Sequence, residues 1–376
     1  MTVMTSCDPP AIGKSTAGDT PAPPGTSEAV TVVITGVSGF LGQGVLRRLV
    51  WTPGFGRVIG LDVREPDFRP RGLELHLVDV ASSDLDPLFE GADVVVHLAG
   101  VHDAIADDQL MVKINVLGTR RVLEAAGAAG VSKVVLVSSA TVYGAWPNNP
   151  VPLTEEGPLR PNPGFPLAVH KAELERILGE WAVAHPGVTT TVLRPAFVLG
   201  ARADHAVARL IRARLPVDIA GTDAPVQFVH EDDATEAVVL AVQRDLPGVY
   251  NVAADGWLSR TELRLLLKRR RQLAVGAELM ERALRWLWRL GLVDMPPSAV
   301  PYLVHPWVVD NARLRIEGWA PHYTNREAVL SGLGPRRQAD RSRLRVAVGV
   351  AGAGLAAARI TRRWGESRAK APRRLA

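Results

Sequence analysis

Residues 31–49, Thr31 to Leu49, read TVVITGVSGFLGQGVLRRL. A short apolar run, Val32-Val33-Ile34, stops at Thr35-Gly36, and Gly36, Gly39 and Gly42 follow at G-x-x-G-x-x-G spacing. Beyond them Leu41, Val45 and Leu49 recur at i, i+4, i+8 with Leu46 beside them, which is one apolar helical face. The stretch therefore predicts a strand, a tight glycine turn and a helix. Gly36 permits the sharp exit from the strand. Gly39 carries no Cβ, so a pyrophosphate can approach the backbone at the helix N-terminus, and Gly42 lets the helix pack close to the sheet. Free amides and the positive end of the helix dipole favour phosphate charge there, so dinucleotide binding is expected in preference to an ordinary tight turn. Phe40 and Leu41, which open the helix, belong to the same expected cofactor-binding set.

The surrounding chain has 376 residues, enough for a full α/β domain and a smaller one. Its 47% hydrophobic content is that of a globular protein. The one cysteine, Cys7, cannot form an internal disulfide, which fits a reducing, cytoplasmic compartment. The formal net charge of +5 conceals an asymmetry. Residues 335–376 hold 12 Lys and Arg against 2 acids, so the rest holds 32 basic and 37 acidic residues. The body is mildly acidic, which argues against a nucleic-acid partner. Residues 1–28 are rich in Pro, Ser, Thr, Ala and Gly and lack a basic region followed by an apolar run. They are expected to be a disordered extension and not a signal peptide.

Further strands follow in order. Arg57 to Asp62 ends in an acid, which can accept hydrogen bonds from ribose hydroxyls and repels a 2′-phosphate. Asp62 thus favours NAD, while Arg64, able to pair with a 2′-phosphate, keeps NADP as the second option. Leu73 to Val80 predicts a third strand with Asp79-Val80 at its end, and Asp93 to Leu98 a fourth, followed by the small pair Ala99-Gly100. Lys113 to Ala126 is helical, Lys133 to Ser138 a fifth strand, and Asn148 to Pro166 a Pro-rich loop. A helix over Leu167 to Ala184 and a sixth strand over Thr189 to Arg194, running into Pro195, continue the alternation. Pro225 to His230 and Val249 to Ala253 complete the body. Strands alternating with helices predict a parallel, doubly wound α/β sheet whose ligands bind at the strands' carboxyl ends.

These residues together resemble the extended short-chain dehydrogenase/reductase family, the NAD-dependent epimerase/dehydratase group. The pieces beside the glycine loop are His97-Leu98-Ala99-Gly100, Asn115-x-x-Gly118-Thr119, Ser138-Ser139-Ala140-Thr141-Val142-Tyr143-Gly144, Lys171, Leu193-Arg194-Pro195 and Phe228-Val229-His230-Glu231-Asp232-Asp233. The Ser-Ser-Ala-Thr-Val-Tyr-Gly stretch is most similar to that of UDP-sugar 4-epimerases. It lacks the acidic pair that sugar-nucleotide 4,6-dehydratases carry at the positions of Ala140 and Thr141. The resemblance implies a Rossmann-type NAD-binding domain over residues 29–255, with 197–224 contributing to a substrate lobe, the rest of that lobe over 256–333, and a basic tail from 334 to 376. It implies cofactor contacts from Gly36, Gly39, Phe40, Leu41, Gly42, Asp62, Asp79, Val80, Leu98, Ala99, Gly100, Asn115, Lys171 and Pro195. It also implies a nucleotide-sugar or related hydroxyl substrate, no metal, and a homodimer by analogy.

One departure is decisive for the chemistry. The family's active site uses Tyr-x-x-x-Lys, in which an ammonium at i+4 lowers the phenol's pKa so that a tyrosinate can take a proton. Here Lys171 is present but its i−4 partner is Leu167, and no tyrosine lies between Tyr143 and Tyr250. Ser139 can still orient a substrate hydroxyl or carbonyl, and Lys171 can still bind the nicotinamide ribose. His102, after the Leu98-Ala99-Gly100 turn, is the candidate replacement base, since an unperturbed imidazole titrates near 6.5. The expected catalytic set is therefore Ser139, Lys171 and His102. His170 points away from Lys171's face and reads as a surface or loop-packing residue, His97 as a packing histidine, and Tyr143 as a pocket wall. The two functional options are an NAD-dependent epimerase or oxidoreductase with a non-standard proton acceptor, and an NAD-binding sensor or scaffold without turnover.

In the second lobe, Arg202, Arg209, Arg212 and Arg214 are candidates to grip a diphosphate or else form a solvated face. Lys268 to Arg271 reads as a solvated charge run. Arg282 to Val293, RALRWLWRLGLV, is basic, aromatic and amphipathic, either a packed lid or a membrane-surface helix. Val346 to Ala358 is an apolar run of 13 residues. As a helix it spans ~20 Å, short of the ~30 Å hydrocarbon core, so no span is expected, and two readings stand side by side: peripheral contact with anionic lipid through the basic tail, or a partly helical or disordered tail.

Overall fold

The computed structural model describes residues 29–101, 108–212, 217–267, 273–293 and 295–334. The N-terminal extension, His102, Arg214, Lys268 to Arg271 and the basic tail lie outside the described residues.

Strand β1 (Val30–Thr35) leads through the glycine turn into α1 (Phe40–Leu49). Next come β2 (Phe55–Asp62), β3 (Leu73–Leu77), α2 (Asp86–Phe89) and β4 (Val94–His97). Helix α3 (Asp108–Val112) passes through a π-helical turn, Lys113–Leu117, into α4 (Gly118–Ala129). Then follow β5 (Lys133–Val137), a 3₁₀ turn at Ala140–Tyr143, α5 (Pro166–Ala184) and β6 (Thr189–Pro195). Beyond β6 lie β7 (Phe197–Leu199), α6 (Ala206–Arg212), β8 (Val217–Ile219), β9 (Phe228–His230), α7 (Glu231–Gln243) and β10 (Gly248–Val252).

Seven of these strands make one sheet in the order β10-β6-β5-β4-β1-β2-β3, every neighbouring pair parallel. The central strands are β-branched and buried on both faces, as parallel strands covered by helices must be. The period of two sorts their side chains. Val32 and Ile34 pack with Val45, Leu46 and Leu49 of α1 and with Ala237, Val238 and Ala241 of α7. Val33 points the other way, to Val122, Leu123 and Ala126 of α4 and Leu174, Ile177 and Leu178 of α5. The chain steps outward from β1 to β3, then crosses back to β4 on β1's other side. The loops leaving β1 and β4 therefore diverge, and the crevice between them is the topological switch point where such sheets bind ligands.

The remaining elements lie around β7 and β9, which pair in parallel, and around β8, which pairs with β11 (Leu273–Val275). Among them are α8 (Arg260–Leu266), α9 (Ala277–Arg289), α10 (Pro301–Val304) and α12 (Asn325–Leu333), while α11 (Ala312–Ile316) packs on the main sheet beside β10 through Leu314. One apolar cluster joins β7, α6 and α12 through Leu199, Ile211 and Val329. Another joins α9 to Ile219 and Val300 through Met280 and Leu284.

Most element bounds fall within two residues of expectation, and some differ by more. The third strand stops at Leu77, leaving Asp79 and Val80 in the loop beyond it. The helix expected from Lys113 begins at Asp108 and contains the π turn. No apolar periodicity announces a π turn, because one inserted residue only shifts the phase of the face.

Gly42 tests how tightly the turn is built. A Cβ there meets the Gly36 carbonyl oxygen at 2.2 Å and the Val37 carbonyl oxygen at 2.8 Å, both backbone atoms. Gly42→Ala is expected to destabilise the chain by about 1–3 kcal/mol through overpacking. A urea midpoint equal to wild type shows instead that the turn has room.

Candidate active site

Gly36 takes φ of +73°, a conformation open to glycine, directly after β1. A Cβ on it lies 2.7 Å from the Ala99 nitrogen and 2.8 Å from the Leu98 carbonyl carbon. The turn after β1 thus rests on the backbone leaving β4. Helix α1 starts without a capping side chain or an acid in its first turn, in contrast to α7, which begins with three acids. The Phe40 and Leu41 amides have no acceptor among the described residues. They leave a patch of unsatisfied donors at the positive end of the helix.

Asp62, at the end of β2, accepts from the Ser38 amide at 2.9 Å and the Arg64 amide at 3.2 Å. Burial pushes its carboxyl above the ordinary range, against the pull of these amides and of the Arg64 charge. Arg64 is drawn onto the same loop, its guanidinium donating to the Ser38 carbonyl at 3.3 Å. Asp79 is occupied locally, accepting from the Ala81 amide and the Ser82 hydroxyl, both at 2.9 Å. Val80 is buried beneath Gly118 at the start of α4.

A buried hydrogen-bond chain ties the end of β4 to α4. The Thr119 hydroxyl donates to the Asn115 carbonyl at 2.6 Å, which commits its one proton. It must then accept from His97 Nε2 at 2.8 Å, so His97 Nδ1 accepts from the Thr35 hydroxyl at 2.7 Å. Thr35 Oγ1 in turn accepts from the Ala99 amide at 3.2 Å. Every link is satisfied by a neutral imidazole, and burial, with Lys171 nearby, pushes the His97 pKa down to about 3. His97 is the packing residue its place inside a strand suggested. Asn115, in the π turn, accepts from the Val101 amide at 2.8 Å and places its Nδ2 3.3 Å from His170 Nδ1. His170 is buried, not a surface residue, because its side of α5 faces the π turn.

At the end of β5, Ser139 Oγ accepts from the Thr141 amide at 3.2 Å and the Thr141 hydroxyl at 3.0 Å. The Ser139 proton itself goes to no described acceptor and is available for donation. Lys171 is buried and donates to the Val137 carbonyl at 2.8 Å. Leu167 sits in the first turn of α5 on the same face as Lys171, half-buried. Tyr143 cannot replace the missing phenol. It is fully buried, donates to Asn251 Oδ1 at 2.8 Å and accepts from Arg194 at 2.7 Å, and burial pushes its pKa up to about 12. It belongs to the interior rather than to a pocket wall.

Behind Lys171 runs an ionic network that its neighbours in sequence do not reveal. Arg194 meets Glu175 at 2.6 Å with both side chains buried, its guanidinium 4.8 Å from the Tyr143 ring centre. The Ser138 hydroxyl also donates to Glu175. Glu175 stands one helical turn after Lys171, among the apolar positions Leu174 and Leu178. A charge on the apolar face of a helix is the signal that could have exposed the pair. Pro195 ends β6 beside these groups, buried. Leu98 and Ala99 close the floor under the glycine turn, with Gly100 next in the chain. The arginines expected to grip a diphosphate are largely engaged elsewhere. Arg212 donates to the carbonyls of Gly332, Ala203 and Gly200, Arg209 to that of Asp204, and Arg202 pairs with Glu231.

Lys171 has a pKa lowered by burial from 10.5 to about 8, against the pull of Glu175. Between those values the unfolded chain holds a proton that the folded chain has released, so this lysine adds stability as pH rises through the window. Urea unfolding of wild type and Lys171→Met should show their difference moving towards wild type across it; a constant difference contradicts the shift. Arg194→Met, which strands a buried Glu175, is expected to cost about 3–5 kcal/mol, and Tyr143→Phe about 1 kcal/mol. Equal losses by thermal unfolding for the two variants rule out a dominant ion pair.

The chain is 29% identical over 317 residues to an uncharacterized protein of Mycobacterium tuberculosis, a match covering 79% of this chain and 81% of that one. It is 29% identical over 254 residues to the dTDP-glucose 4,6-dehydratase of Streptomyces griseus, covering 62% of this chain and 76% of that one. Its fold superposes on the Thermus thermophilus UDP-glucose 4-epimerase, solved in complex with NAD, with a TM-score of 0.63 and 24% identity over 81% of this chain and 98% of that one. Residues 32–253, glycine turn through β10, match the NAD dependent epimerase/dehydratase family, and the chain belongs to that family.

Proposed function

We propose that the chain binds NAD in the crevice between the loops after β1 and β4, and acts as an epimerase or oxidoreductase on a nucleotide sugar. The observation that carries the reading is the uncapped start of α1, whose Phe40 and Leu41 amides open above the close Gly36–Ala99 approach. The pyrophosphate is assigned to these amides and to Gly39, and the adenosine ribose to Asp62. NAD is preferred because Asp62 stands where a 2′-phosphate would go, although Arg64 lies close. Leu98, Ala99, Gly100 and Pro195 supply small or apolar contacts along the crevice, while Asn115 and Val80 support it from beneath.

Bound NAD would supply a reversible hydride acceptor for a substrate carbon. The chain's part is to hold the sugar and move its proton. Ser139 has a proton to donate to a substrate oxygen, and Lys171 is assigned to the nicotinamide ribose and keeps two donors beyond its bond to Val137. With Leu167 in place of the family tyrosine, the proton acceptor is His102, a water or the substrate itself. The UDP- and dTDP-sugar chemistry of the relatives supports a nucleotide-sugar substrate, and a homodimer is the assembly we assign by analogy. Leu167 also favours a second reading, an NAD-binding sensor or scaffold without turnover.

Calorimetric titration is expected to show saturable NAD binding, weakened about tenfold or more in Asp62→Ala through loss of hydrogen bonds to a charged group. No saturation at millimolar NAD or NADP removes the reading. Assays on a panel of UDP- and dTDP-sugars separate the two options. Turnover that falls by about 10²–10⁴ in His102→Ala identifies the base. Binding without turnover, restored by Leu167→Tyr, identifies a degenerate site.

A further inference from the structure

Helix α9 has two apolar sides, and the fold uses one of them. Met280 and Leu284 pack inward against Ile219 and Val300. Leu279, Trp286 and Leu290 stay 54%, 67% and 60% exposed. With 3.6 residues per turn, Leu279, Ala283, Trp286 and Leu290 fall within a stripe of roughly 60°. Arg282, Arg285 and Arg289 line the adjoining side, all exposed. Arg285 pairs with Glu281 at 2.6 Å, while Arg282 and Arg289 make no ion pair among the described residues.

We propose that α9 is a membrane-surface helix that seats this lobe on an anionic lipid bilayer. Trp286 and the leucines enter the boundary between headgroups and acyl chains, and the arginines meet lipid phosphates beside them. Charge complementarity selects this occupant. Residues 268–293 hold seven basic residues and two acidic ones. Residues 335–376 carry 12 basic residues against 2 acids, the same sign as these arginines, so charge favours an anionic surface over that segment as the occupant. That segment instead adds attraction to the same lipid surface. The helix lies on the bilayer and does not cross it, for no helix among the described residues is long and apolar enough to span.

The test is sedimentation of the full chain with vesicles of phosphatidylglycerol and phosphatidylcholine, against vesicles of phosphatidylcholine alone. Wild type is expected to bind the anionic vesicles and to lose that binding in high salt. Trp286→Ser/Leu290→Ser should weaken binding about tenfold by removing the inserted side chains, and Arg282→Gln/Arg289→Gln should weaken it at least as much. All four side chains are exposed, so neither variant removes a packing contact of the lobe, and unfolding midpoints equal to wild type verify this. Absence of binding to anionic vesicles overturns the proposal. So does undiminished binding in both variants, which assigns the contact to the C-terminal segment alone. A wild-type dimer in analytical ultracentrifugation that Trp286→Ser/Leu290→Ser splits also overturns it, because a second copy then occupies the stripe.

Discussion

The close approach of two backbones, the turn after β1 and the exit from β4, is the constraint on which this structure depends. Gly36 touches Leu98 and Ala99 across a gap that no side chain fits. Because β1 and β4 are adjacent parallel strands on either side of the switch point, that contact sets the depth of the crevice. Gly42 repeats the device one step later, bringing α1 down onto the Gly36 carbonyl. The uncapped amides of α1 are aimed by these two contacts rather than by any side chain. The Thr35–His97–Thr119–Asn115 chain extends the same rigid unit into the π turn and α4. Each of its groups is paired, so its burial costs little.

Position 167, four residues before Lys171 on the same helix face, carries leucine, which has no proton to exchange. Leucine at position 167 fills its place in the first turn of α5 and leaves Lys171, Ser139 and the strands beneath them in order. Lys171 has the Val137 carbonyl as partner and a buried setting. The Glu175–Arg194–Tyr143 network behind it is buried. Buried ion pairs add little net stability, but breaking one leaves an uncompensated charge, so this network holds β5, β6 and α5 in one arrangement.

In the smaller part of the chain, α9 shows why amphipathicity alone does not say what covers a helix. Its apolar residues span more of the circumference than the lobe covers. Met280 and Leu284 satisfy the packing, and Trp286 and Leu290 are left over beside arginines. The arginines of α6 went the other way, since Arg212 donates to three backbone carbonyls and so serves the fold.

Sequence alone determined the sheet and its crevice. Glycine spacing, β-branched runs and helical periodicity are local signals, and each acts within a few residues of where it is written. The parallel order and the strand, glycine turn and helix at its start were legible on that basis, as was His97's packing role. The stop of β3 at Leu77, the π turn and the burial of His170 and Tyr143 were decided by tertiary structure. So were the Glu175–Arg194 pair and the exposed stripe of α9. Each depends on residues far apart in the chain, and whether a charge or an aromatic ring lies inside or outside is set by what packs over it, which no local pattern records.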